Sequence, residues 1–202
     1  MKKFVSIILA LSTVFAMSVT ASANEIETDG GSATTPVYLS STEDGSIGGT
    51  PAATAMSVTV PTALPMAMSQ SGDVTTATDC KIINNSFGAV RVKSVTITAG
   101  NDWSLTAFGD KSTLADEKVD ANKIGFAMSV GGGTQVETDG SNADTQTLIS
   151  APIEGCYMSG VGNTNANYVD IDYDAIVTPL SNAVTDANVA NVVFVIEWDT
   201  VA

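Results

Sequence analysis

From residue 56 onward the chain is a series of short apolar alternations. Met56, Val58 and Val60 alternate with Ser57 and Thr59, and Pro61 closes the run. Leu64, Met66 and Met68 then alternate with Pro65 and Ala67. A period of two marks a strand with one face on a core. Pro65 has no N–H to donate, so this second strand is predicted to be an edge or irregular. Gly72-Asp73 turns the chain toward a strand over residues 80–83, which Asn84-Asn85-Ser86 closes. The longest candidate covers residues 89–99. Val90 and Val92 share one face, Val95 and Ile97 the other, and the phase changes at Lys93-Ser94. A one-residue bulge there returns both pairs to the core.

Gly100-Asn101-Asp102 turns the chain into Trp103-Ser104-Leu105. Residues 109–123 are polar and charged and read as a loop with one helical turn. Ile124, Phe126, Met128 and Val130 alternate with Gly125, Ala127 and Ser129, and Gly131-Gly132-Gly133 ends the run in a hairpin loop. Residues 137–146 read as a polar loop, and Leu148-Ile149 and residues 156–161 as two short strands. Over residues 168–175, Val169, Ile171 and Tyr173 face one way and Asp170, Asp172 and Asp174 the other. Residues 180–190 are looser. Val192-Val193-Phe194-Val195-Ile196, followed by Glu197-Trp198, is a continuous run that predicts a strand covered on both faces. Eight to ten short, mostly antiparallel strands without a long amphipathic helix define an all-β chain, most simply a β-sandwich over residues 55–202. No period of 20–50 residues indicates a repeat array.

The first 54 residues break this pattern. Met1-Lys2-Lys3 precedes an apolar run over residues 4–19, and Ala21-Ser22-Ala23 precedes polar sequence. A positive start, a short apolar core and small residues are the parts of a cleavable secretory signal, expected to end at Ala23. The core is shorter than the ~20 apolar residues a membrane span needs. Residues 24–54, rich in Gly, Ser, Thr and Ala, hold too little apolar surface for a core and read as a flexible polar leader. Within it, Val37 and Leu39 share one face of a short extended patch at residues 35–40. The expected product is secreted, extracellular or cell-wall associated, with no membrane span in the mature chain. No Leu-Pro-x-Thr-Gly sorting motif precedes Ala202.

Charge and composition narrow the chemistry. Without Lys2 and Lys3 the net charge of −14 becomes −16, a field that repels nucleic acid and anionic lipid. Histidine is absent, which removes the commonest general base and any Ser-His-Asp or Cys-His apparatus. Cys80 and Cys156 are the two cysteines. In an oxidising compartment one disulfide is the expectation, and two buried free thiols the alternative. Asp170, Asp172 and Asp174 line one strand face about 7 Å apart, where a hard cation such as calcium has a weak claim. Ala175 and Ser181 depart from a calcium loop, and a solvated acidic face explains the same alternation. Glu154, Glu197 and the aspartates are the candidate carboxylates for a glycosidase reading, and no motif supports it. No Lys-Ser/Thr follows Gly131-Gly132-Gly133, which excludes a phosphate cradle. Asn84-Asn85-Ser86 has the form of a glycosylation acceptor. An enzyme is not expected.

Residues 92–108, with Asp102-Trp103-Ser104-Leu105, resemble the first motif of the WxL surface domain of low-GC Gram-positive bacteria. That resemblance implies a β-rich, non-catalytic module associated with peptidoglycan, and it covers the last two-thirds of the chain. The second motif of that family ends in Trp-x-Leu. Here Trp198 supplies the ring, but Thr200 stands where Leu belongs. The layout is also similar to secreted β-sandwich fibre subunits of the TasA/camelysin kind. That likeness implies assembly by an N-terminal donor strand, here residues 35–40. The leading expectation is a non-catalytic structural protein of a bacterial cell surface, held non-covalently on peptidoglycan or another surface polymer. Trp103, Leu105 and Trp198 would then be its wall-binding or core motif. A self-assembling fibre subunit partnered by copies of itself, and a carbohydrate- or calcium-binding module, are the alternatives.

Overall fold

A computed structural model describes residues 55–200. The signal segment, the leader and its patch at residues 35–40 lie outside the described residues. The strands are β1 (Val58–Thr59), β2 (Met66–Met68), β3 (Val74–Thr76), β4 (Lys81–Asn84), β5 (Val90–Ala99) and β6 (Ser104–Leu105). One helical turn, α1 (Ser112–Ala115), lies in the polar loop where one was expected. There follow β7 (Lys123–Val130), β8 (Val136–Glu137), β9 (Thr145–Ile149), β10 (Tyr157–Met158), β11 (Tyr168–Val177) and β12 (Ala190–Trp198). The chain is all-β. The strands the pattern does not predict, β3 and β8, are too short to display a period. No helix among the described residues is long and apolar enough to cross a membrane.

Two sheets share one core. The first runs β1-β4-β11-β7-β6, with β8 also on β7. The second is centred on β5, with β12 on one side and β10 and β9 following one another along the other. Val90, Val92, Val95 and Ile97 of β5 pack with Phe126, Met128 and Val130 of β7 and Ile171 and Tyr173 of β11. A separate hairpin, β2–β3, packs with Met66 and Val74 against this core. The Tyr173 hydroxyl accepts from the backbone N–H of Ala77 and donates to the carbonyl of Pro65, pinning the open end of the hairpin.

The bulge in β5 lies where the phase change predicts it. Val195 faces Ser94 and Ile196 faces Val92, so Lys93 is skipped. Val90, Val92, Val95 and Ile97 are consequently all buried. The turn after β7 also agrees with the pattern. Gly131 and Gly132 have positive φ, and β7 pairs with β8 directly after them. Gly155 is required by close approach as well as by its φ of +88°. A Cβ there would lie 2.1 Å from the Val130 carbonyl oxygen.

β12 corrects an expectation. The run at residues 192–196 predicts a strand covered on both faces, yet only Val192, Phe194 and Ile196 turn toward the core. Val193 is 53% exposed and Val195 43%. β12 pairs with β5 alone, so its other edge has no strand partner among the described residues. Valine favours a pleated backbone whether or not its outer side is covered, so composition does not separate a central strand from an edge.

Candidate functional site: a groove beside the last strand

Beside β12 lies an open groove of about 1060 Å³. Leu64, Met66 and Met68 line one side, Val192 and Phe194 of β12 another, and Trp103 also contributes. The segment from Leu180 to Val189 forms the rest, and Asp186 is the only charged lining residue. The local reasons are simple. The β2–β3 hairpin is pinned at Tyr173 and never joins β12, so the second sheet stops one strand early. A strand laid along β12 would pair its backbone and turn alternate side chains into the groove. Methionine lining suits such a site, because an unbranched thioether repacks around varied shapes.

The tryptophans are not brought together. The Trp103 N–H donates to the Gly100 carbonyl, just past the end of β5, whereas Trp198 lies opposite Val90 at its start. A ten-residue strand separates them by roughly 30 Å. Leu105 is buried, while Trp103 and Trp198 are half-buried against the core. All three therefore pack, and only Trp103 also reaches the groove.

The aspartate row is not gathered around a point either. Asp170 pairs with Lys81 at 2.7 Å, Asp172 points to solvent, and the Asp174 carboxylate accepts its neighbour Ala175's N–H at 2.7 Å. Among the described residues no cluster of three His, Cys, Asp or Glu has metal-binding geometry. Cys80 and Cys156 are unbonded, which corrects the disulfide expectation. Their backbones belong to different sheets: the Cys80 carbonyl accepts from Ile171, and that of Cys156 from Val92. Burial pushes the Cys156 thiol above its ordinary pKa, so it behaves as a small apolar core residue. The sequon is closed as well, because the Asn84 side chain is buried and fully bonded.

Glu197 is held by cations. It pairs with Arg91 at 2.8 Å and with Lys93 at 3.1 Å, and these contacts lower its pKa. A general acid requires the opposite shift. Because the folded pKa lies below the ordinary value of 4.5, the stabilisation is present above about pH 4.5 and fades as pH falls through the folded value. Glu197→Gln should therefore lower the thermal midpoint at pH 7. The gap to the parent should narrow as pH falls below 4.5 in melts followed by circular dichroism.

Set against known proteins, the chain matches no family model, no curated protein and no solved structure. Sequence reasoning named Trp103 but missed Phe194, Met66 and Met68 as lining residues. Each reads locally as one more core position, and nothing in its neighbours' pattern marks a missing strand beside it.

Proposed function

We propose that this is an exported, non-catalytic structural protein of a bacterial cell surface, and that it assembles with its own copies by strand addition at β12. The carrying observation is the open groove beside Ala190, Val192 and Phe194 of β12, a strand whose outer edge has no strand partner among the described residues. Export is supported by the signal-like residues 1–23. The donor is the segment at residues 35–40 of another copy, whose sequence alternation puts Val37 and Leu39 on one side to enter the groove. Backbone pairing supplies affinity and the two apolar side chains set register. Electron microscopy of the mature chain is expected to show filaments. Replacing Val37 and Leu39 together by Asp should abolish them, because each places a charge in an apolar groove. Filaments that persist in the double variant, or their absence from the parent, would overturn strand addition.

Non-covalent attachment to peptidoglycan is the second reading. Trp103, half-buried on the groove wall, favours it, because an aromatic face suits a polymer as well as a peptide. Pull-down with purified peptidoglycan separates the two. Trp103→Ala should weaken retention, and equal retention of both proteins counts against the wall reading.

A further inference from the structure

The end of the sandwich away from Gly100 carries a second unexplained feature. Three stretches meet there: residues 55–60, 82–90 and 155–169. None contains Lys, Arg, Asp or Glu, in a chain with 22 acidic residues. They are tied together by backbone bonds from Asn85 to the Ser57 carbonyl and from Val161 to the Ser86 carbonyl, each 2.8 Å. Of the charges flanking this uncharged pole, Lys81 pairs with Asp170 and Arg91 with Glu197 and Asp199, while Glu154 is in no ion pair among the described residues.

At the pole Phe87 stands 83% exposed. Its loop is not loose. The Asn84 side-chain amide donates to the backbone carbonyls of Gly88 and Ser159, and its Oδ1 accepts the Ser86 N–H. The Ser86 hydroxyl accepts from the Ser57 N–H and donates to the Ser57 carbonyl. Gly160 has no side chain where one would strike the Phe87 carbonyl, at 1.9 Å from an added Cβ. A stiff, fully bonded frame thus presents an aromatic ring to solvent, with Val161 also exposed beside it. Rigid, preorganised aromatic side chains are the usual anchors of protein contacts, because little entropy is lost when they bind.

We infer that this pole is a self-association surface, at which a second copy of the chain docks pole to pole through Phe87. Charge selects the occupant. A cationic partner would be drawn to the carboxylates elsewhere, and an anionic surface is repelled by the net charge. Any strongly acidic face of another copy would have to desolvate carboxylates against Phe87. The same uncharged pole on a second copy places no carboxylate against Phe87, so only the salt-screened repulsion between the two net charges remains, and a two-fold contact of this kind is the commonest way for identical chains to pair. This surface is distinct from the β12 groove, and the inference does not rest on strand addition there.

Sedimentation velocity tests it on the mature chain with Val37 and Leu39 both replaced by Asp, the parent of this experiment, in which strand addition is removed. The parent should show a concentration-dependent dimer. Phe87→Asp should raise the dissociation constant at least about tenfold, because two carboxylates would face each other at the two-fold. Val161→Asp should act in the same direction. At concentrations where the parent is monomeric, thermal midpoints should stay unchanged, since Phe87 is 83% and Val161 49% exposed. A parent that is monomeric at all concentrations, or a dimer that neither variant weakens, overturns the inference. So does a monomeric parent that floats with neutral phosphatidylcholine vesicles through Phe87. Loss of filaments on Val37 and Leu39 substitution with the dimer intact, or the reverse, tells the failure of one contact from the failure of the other.

Discussion

Deletion of Thr96 is expected to abolish the cooperative thermal transition, whereas deletion of Lys93 leaves a folded protein. The contrast rests on the bulge in β5. Lys93 is the residue passed over when Val195 pairs with Ser94 and Ile196 with Val92. Without Lys93 the strand reads Val-Arg-Val-Ser-Val-Thr-Ile-Thr, a plain alternation that keeps Val90, Val92, Val95 and Ile97 inward. The deletion removes a half-exposed ion pair to Glu197 and an unpaired backbone step. Without Thr96 the residues after Val95 change face, and Ile97, now fully buried, turns to solvent. Losing one buried Ile side chain costs about 2–5 kcal/mol. Placing Thr98 on the core face and losing the β9 and β12 registers add to this, against a typical total stability of about 5–15 kcal/mol. Circular dichroism melts of the two deletions decide it. Loss of the transition on Lys93 deletion would show that the bulge's bend, and not only its phase, is required.

Asn84→Asp should destabilise the domain by about 3–5 kcal/mol at pH 7. The change keeps the shape and reverses the hydrogen bonding. Asn84 is fully buried, and its amide donates to two carbonyls, Gly88 and Ser159, each at 2.9 Å. A carboxylate has no proton for either and places charge among their lone pairs. Burial raises the pKa of an uncompensated carboxyl above its unfolded value. Protonation therefore favours the folded variant, and its deficit relative to the parent should shrink as pH falls. Urea denaturation at pH 7 and pH 4 measures both quantities. A deficit that is the same at the two pH values would mean that the carboxylate is solvated, contrary to the closed loop around Asn84.

Much of the fold was legible because strand signals are local. The phase break in residues 89–99 identified the bulge, and the Asp-x-Asp-x-Asp row identified the solvent face of β11, where Val169, Ile171 and Tyr173 lie buried. The candidate site was legible only in fragments. Trp103 stood out as a ring beside a turn, but its distance from Trp198 depends on which ends of β5 they occupy. The two cysteines read as a staple because compartment and number suggest one, whereas the structure leaves both thiols free, Cys80 bonded through its backbone to β11 and Cys156 to β5. Phe87 followed a run of turn residues and gave no sign that its loop is stiff.

Taken alone, then, the residues determined where the longer strands are, which face of each except β12 is apolar, and that the chain is acidic and without histidine. These properties depend on a side-chain period of two and on composition, both of which act within a few residues. The tertiary structure decided that β12 is an edge, that a groove opens beside it, that Asn84 and Cys156 are sealed, and that three uncharged stretches share one pole. Each of these depends on which distant segment lies alongside. A valine-rich strand has the same local energetics at the centre of a sheet and at its rim until its neighbours are in place.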